Sequence, residues 1–366
     1  MIFASALFRK RCVFALMFLL PHFTAIAGAH EAESIKVVVV GDTGIGERAF
    51  HPGFEAVQKA MRKEHAVAIL HLGDFVYQPE MLPDNCPEKY IHEIKETLVQ
   101  PYSVRIFVAG DNDLPPHKWK PKASGCWDQI APMATPFDRS ATQGPKPGTR
   151  EGVMYLETAL FVVLDVYEEK DPTPWLKPLM NEARRKGLWV IFALHEPALT
   201  TAWYKEKRQT VLKQINALRP DLVFAGNQHS YERFHPMDLP DKDGALPVVT
   251  SSQYKQGTGV THVVSGGGGA TFKPFADQQN NEAHTAPKAI FDALAKRALM
   301  FHYVTLEISH DSLTAKTHRV CPPPSAPSEK QNPRWHADDS MWNNISLECD
   351  GKESGVTVFD QLEIKR

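Results

Sequence analysis

Beyond residue 28 the chain has no apolar run long enough to cross a bilayer. Its formal net charge is only −2, which argues against a broad electrostatic footprint for nucleic acid and leaves room only for a local patch. It holds five cysteines with no CxxC pair, so a structural zinc site has little support. The glycine run Ser265-Gly266-Gly267-Gly268-Gly269-Ala270 is followed by no Lys-Ser/Thr, which excludes a P-loop; a tight turn is the better reading. Internal repeats are absent too. What is present is ordinary in bulk: 366 residues and 43% apolar content suit one large domain or two smaller ones with a sizeable core.

The N-terminus departs from that average. Arg9-Lys10-Arg11 precedes an apolar stretch from Cys12 to Leu20, and Ala25-Ile26-Ala27 or Ala27-Gly28-Ala29 offers a small-x-small cleavage site. This pattern reads as a signal peptide over residues 1–29. An uncleaved anchor is the rival reading, weakened by Pro21 and His22 within the run, and the basic triplet before Cys12 does not match a lipidation site. Cleavage leaves no stable membrane anchor and a secreted or periplasmic chain. Cys86, Cys126, Cys321 and Cys349 then remain, an even number that favours two disulfides in an exported protein. Proximity along the chain favours Cys86–Cys126 and Cys321–Cys349.

Strand and helix patterns alternate from Ile35 onward. Strands at 35–40, 67–72 and 104–108 enclose helices at 54–63 and 87–98, a βαβαβ order that predicts a mostly parallel, two-sided sheet. Paired strands at 153–156 and 160–164 follow, then a helix (175–186), a strand (188–194), a helix (208–218) and a strand (222–225). Residues 260–265 and 301–308 are expected to form the final strand pair. Residues 113–148 read as a long loop of the kind that is functional or mobile. The stretch 321–343, with Pro322-Pro323-Pro324, reads as an extended tail. These features divide the chain into a catalytic domain at 30–315 and a disulfide-fastened extension at 316–366.

Three Gly-Asp turns stand out: Gly41-Asp42-Thr43-Gly44, Gly73-Asp74-Phe75-Val76-Tyr77 and Gly110-Asp111-Asn112-Asp113, each closely following a β-branched apolar run. They gather carboxylates at the carboxyl rim of a sheet, where open α/β folds bind ligands. Val190–Leu194 runs into His195-Glu196-Pro197, and Leu222–Ala225 into Gly226-Asn227-Gln228-His229-Ser230-Tyr231-Glu232-Arg233, adding a histidine after each of two more strands. Mixed carboxylate and imidazole donors suit iron, manganese and zinc.

In this order the motifs resemble the calcineurin-like metallophosphoesterase superfamily over residues 35–310. Tyr77, three residues after Asp74, and the His229–Arg233 segment look most like its purple acid phosphatase branch. The resemblance implies an α/β fold of the four-layer α/β/β/α sandwich type, with a two-metal site at the C-terminal ends of the strands. It implies iron held by Asp42, Asp74, Tyr77 and His229, and a second metal held by Asp74 with Asp111, His195 and Asn227. It also implies a phosphorylated small-molecule substrate and a metal-bound hydroxide as nucleophile. The function expected is that of an exported phosphomonoesterase; a phosphodiesterase or nucleotidase on the same site, or a catalytically weak metal- or phosphate-binding protein, are the alternatives.

The chain departs from the family pattern at three places. Asp111 stands where the family has an asparagine ligand, and Asn227 where it has a histidine. The second site is thereby harder and richer in oxygen, favouring manganese, magnesium or calcium over zinc, or else is weak or empty. Asn112 stands where the family has a histidine that contacts phosphate or helps protonate the leaving group; Asp113, His117, His51 and His235 are the candidates for a replacement acid. His262 reads as structural, and Trp119 and Trp127 as pocket or packing residues with equal claim.

Overall fold

The structure is a computed structural model and describes residues 34–45, 52–77, 86–116, 120–121, 123–140, 150–165, 170–239, 241, 246–323, 347–349 and 351–366. The expected signal segment, His51, His117, Trp119 and most of the expected tail at 321–343 lie outside them.

Two seven-stranded sheets form the centre. The first is built on β1 (Ile35–Val40), β2 (Ala68–His71) and β3 (Val104–Phe107), parallel to one another. It continues antiparallel from β1 into β12 (Phe301–Ile308), β13 (Ser312–Cys321) and β14 (Gly355–Lys365), and ends on β9 (Gln253–Lys255). The second is built on β5 (Ala159–Val163), β6 (Trp189–Leu194), β7 (Leu222–Ala225) and β10 (Thr261–Ser265), all parallel. Antiparallel β4 (Gly152–Leu156) closes one edge, and β8 (Tyr231–Phe234) with β11 (Leu294–Ala298) closes the other.

The period-2 alternation of strand side chains explains the layering. Val37 and Val39 point between the sheets, meeting Phe161, Ile191, Ala193 and Phe224. Val38 and Val40 point outward onto α1 (Pro52–Met61), α2 (Glu88–Ile94) and α3 (Trp127–Ile130), through Phe54, Val57, Ile94 and Ile130. On the far side Val162, Val190, Phe192 and Val223 meet α4 (Thr173–Arg185), α5 (Arg208–Leu218) and α6 (Lys288–Ala293). Strands buried on both faces read as near-continuous apolar runs, which is why β1, β6 and β7 were visible in the sequence. The expected four-layer α/β/β/α sandwich is the observed one.

The end of the chain differs from expectation. β10 and β12 are not a pair: β10 lies in the second sheet between β7 and β8, and β12 in the first between β1 and β13. β13 runs through the 315/316 boundary, and with β14 it adds two strands to the first sheet instead of an appended tail. These strands alternate apolar and polar residues, so they lack the solid runs that mark the buried parallel strands. Asp360 of β14 also ties the sheets together, accepting hydrogen bonds from Tyr231 (2.8 Å) and Arg233 (2.6 Å) of β8. Both expected disulfides are formed, Cys86–Cys126 and Cys321–Cys349. Among the described residues no helix is long and apolar enough to cross a membrane.

Candidate metal centre

Three residues after parallel strands leave the usual backbone regions. Asp42 after β1 has φ 58°, Asp74 after β2 has φ 57°, and Asn227 after β7 has φ 65°. This left-handed region is uncommon for residues other than glycine, though Asp and Asn tolerate it best, and such strain collects at functional sites. It turns each residue back over the strand ends. Gly73, at φ 92°, completes the second turn. Gly110 permits the third, because a Cβ there would lie 2.1 Å from both the backbone nitrogen and Oδ1 of Asp74.

The turns bring four donor atoms to one point. The Tyr77 hydroxyl lies 2.8 Å from Asp42 Oδ1, 2.8 Å from Asp74 Oδ2 and 2.9 Å from His229 Nε2. His229 Nε2 is itself 3.4 Å from Asp42 Oδ1. A phenol has one proton to give, so one of the two O···O contacts brings two acceptors together, and a cation among them resolves the conflict. Adjacent donors around an octahedral cation with ~2.1 Å bonds stand about 3 Å apart, the spacing found here. Burial, with Asp42 and Asp74 beside it, pushes the Tyr77 phenol well above its ordinary range, so a tyrosinate at this point needs a cation to form.

Both histidines are oriented by backbone carbonyls. His195 Nδ1–H donates to Leu72 O at 2.7 Å, and His229 Nδ1–H donates to Thr271 O. Each ring therefore turns Nε2 toward the carboxylates, as a metal-ligating histidine does. His195 Nε2 stands 3.3 Å from Asp74 Oδ2 and 3.5 Å from Asp111 Oδ1. Burial opposes charge on His195, but Asp74, Asp111 and Asp42 outweigh it and hold the imidazole well above its ordinary value. The charges that favour that proton would equally favour a cation in its place. Asp42, Asp74 and His195, all buried, offer ligand atoms within 4.8 Å of one another.

The side of the centre around Asp111 is built differently. Asp111 Oδ1 is buried with no hydrogen bond among the described residues, its nearest partner being the His195 imidazole at 3.5 Å. Its Oδ2 accepts from Lys120 Nζ at 2.8 Å. Asn227 enters through its backbone: its N–H donates to Asp42 Oδ2 at 2.8 Å, and its carbonyl accepts from Lys273 Nζ at 2.9 Å. Burial and Lys120 lower the Lys273 ammonium from its ordinary value, against the pull of Asp42, Asp111 and Asp74.

Of the residues expected to do chemistry, Asn112 and Asp113 instead orient Asp74. Asn112 donates its side-chain amide to Asp74 Oδ2 (2.6 Å) and its backbone N–H to Oδ1 (2.8 Å). Burial and Asp74 push the Asp113 carboxyl up to about 8. Yet its two oxygens accept four backbone N–H groups, from Asp74, Phe75, Val76 and Gly110, and the residue is sealed from solvent. Asp113 therefore shapes the second turn and is not placed to pass a proton to a substrate. His235 lies beyond β8, its backbone N–H on Ala293 O. His262 donates to Asn216 Oδ1 at 2.8 Å, the expected structural role, and Trp127 is a packing residue of the outer core. The glycine run meets the rim, with Gly268 N–H on Gly41 O and Ala270 N–H on Asp42 O.

Lys120 and Lys273 were missed. Lys120 lies among the prolines and lysines of the loop after β3, where nothing local marks one lysine from another; Lys273 follows the glycine run, and that proximity was the one available signal.

The comparisons bear on the family and the fold. A family profile described as calcineurin-like phosphoesterase matches residues 35–231. An uncharacterized protein of Mycobacterium tuberculosis (strain H37Rv) is 34% identical over 119 residues, 30% of this chain and only 22% of that protein's length. In fold the chain is similar to a purple acid phosphatase from yellow lupin seeds (TM-score 0.59, 15% identity, covering 92% of this chain and 54% of that one). It is likewise similar to PhoD (TM-score 0.52, 10% identity, covering 91% of this chain and 70% of that one). With the profile spanning the strands, turns and histidines that build the centre, the chain belongs to the calcineurin-like phosphoesterase family.

Proposed function

We propose that the protein is an exported, metal-dependent phosphomonoesterase. The observation that carries the reading is the pair of imidazoles, each locked through Nδ1 on a backbone carbonyl and each presenting Nε2 to buried carboxylates at the carboxyl rim. Asp42, Asp74, Tyr77 and His229 are assigned to a first cation, with ferric iron suited to a tyrosinate oxygen. Asp74, Asp111 and His195 are assigned to a second, with the Asn227 side chain as a further candidate ligand and manganese, magnesium or calcium preferred by the oxygen-rich donor set. Cations bound there supply Lewis acidity to a phosphoryl group and lower the pKa of water toward neutrality.

The chain's own residues hold that arrangement in place. Asn112 and the turn built on Asp113 orient Asp74 between the two groups of donors, and the Leu72 and Thr271 carbonyls aim the imidazoles. The two disulfides and the expected N-terminal signal support export. Metal analysis of the purified protein combined with a p-nitrophenyl phosphate assay tests the proposal. Two metals per chain with turnover are expected; absence of turnover with iron, manganese, magnesium, calcium or zinc would overturn it.

A further inference from the structure

We infer that Lys120 and Lys273 form a clamp for the phosphate group of a dianionic monoester, and that this pair sets the preference for monoesters over diesters. The inference rests on the phosphoesterase reading of the same centre. The two lysines come from separate loops, one after β3 and one after the glycine run, yet both reach the Asp111 side of the centre. Lys120 Nζ is 2.8 Å from Asp111 Oδ2, and Lys273 Nζ is 2.9 Å from the carbonyl of Asn227, whose N–H holds Asp42.

Neither lysine is a surface residue by position. The Lys120 side chain is 23% exposed, and Lys273 is partly buried. Two long side chains brought to the same side of the centre lose rotamer freedom and repel, a cost that a shared anionic partner offsets. The buried Asp42 and Asp74 and the partly exposed Asp111 account for part of that partner, and Asp111 takes one of the three N–H groups of Lys120. A phosphate dianion bridging the ammonium groups accounts for the rest through charge-assisted hydrogen bonds. Asn112 already gives one of its two amide N–H groups to Asp74. A diester carries one negative charge fewer at its phosphate and gains less from the two ammonium groups.

The test is calorimetric titration of inorganic phosphate into metal-loaded wild type, Lys273→Met and Lys120→Met, with metal content measured in each. It is paired with kcat/KM for p-nitrophenyl phosphate against bis(p-nitrophenyl) phosphate. Losing a hydrogen bond to a charged partner predicts phosphate binding weaker by about tenfold or more in each variant. The monoester-to-diester ratio is expected to fall by a similar factor, mainly through KM, at unchanged metal content. Lys120→Met also removes the ion pair to Asp111; Lys273→Met removes the contact to the Asn227 backbone carbonyl and decides the matter. Wild-type phosphate affinity and an unchanged ratio in Lys273→Met, at full metal content, overturn the clamp. If wild type hydrolyses neither ester, the phosphoesterase reading fails, and the phosphate titration alone still judges the lysines.

Discussion

The two sides of the centre share Asp74 and differ in almost everything else. Around Tyr77, the phenol, two carboxylates and an imidazole meet within 2.8–3.4 Å, and His229 and Asp42 have no exposed side-chain surface. Around Asp111, one carboxylate is 21% exposed, its contact to His195 is 3.5 Å, and ammonium groups flank it. The first side is a candidate cation site enclosed in the core, where the donors have few other partners. The second stands at the mouth, where charge from the protein and charge from a ligand compete. The difference teaches that one rim can hold a closed cluster of carboxylate, phenol and imidazole donors beside a more open half flanked by ammonium groups.

The largest effect should come from the residue common to both sides. Asp74→Asn removes the shared carboxylate, and Lewis-acid stabilisation of several kcal/mol goes with it, so p-nitrophenyl phosphate turnover should fall by about a thousandfold or more. Retention of full turnover would break the bridging assignment. Tyr77→Phe strikes the first side alone: iron-loaded wild type should be violet from tyrosinate-to-iron charge transfer, and the variant should lose that band in the visible spectrum. A band that survives the substitution would remove Tyr77 from the ligand set.

Asn227→His strikes the second side alone. Histidine tolerates the left-handed backbone nearly as well as asparagine, and an added imidazole should tighten the second cation by about tenfold, on the scale of one extra charge-assisted contact. Metal titration followed by elemental analysis reads this directly, and an unchanged second affinity would mean that the imidazole does not reach the site.

The smallest effect on the chemistry concerns two buried histidines outside the proposed ligand set. Burial lowers His262 to about 3 and His302 to about 4. Both are neutral in the folded state and protonate more readily once unfolded, so the unfolded chain binds more protons below about pH 6.5 and stability must fall as pH falls. Each should cost about 1.4 kcal/mol per pH unit between roughly pH 6 and 4. Denaturant unfolding across that window should show a shallower slope in His262→Gln, with metal content at neutral pH unchanged; an equal slope would contradict the burial assigned to His262.

Much of this was legible in the chain. The solid apolar runs of β1, β6 and β7 and the Gly-Asp turns located the rim, because burial on both faces and positive φ leave local signatures. Of the residues that converge there, Asp42, Asp74, His195 and His229 were named from their places after strands, and Tyr77 from the family resemblance. Less legible were Asn112 and Asp113. Their positions invited catalytic roles, but their partners lie on the β2 turn, 37 to 39 residues away in sequence for Asp113. β13 and β14 were hidden for a related reason: their alternating pattern is that of half-buried strands, and the register joining them comes from pairing across a long connection.

The sequence by itself determined the solid buried strands, the Gly-Asp turns and the candidate donor residues after them, since periodicity and turn chemistry act over a few residues. Only the tertiary structure decided which side chains face one another: that Asp113 is spent on backbone N–H groups, that Asp360 binds the two sheets, and that Lys120 and Lys273 arrive at one mouth. Those outcomes depend on distances between distant segments, and no local pattern encodes them.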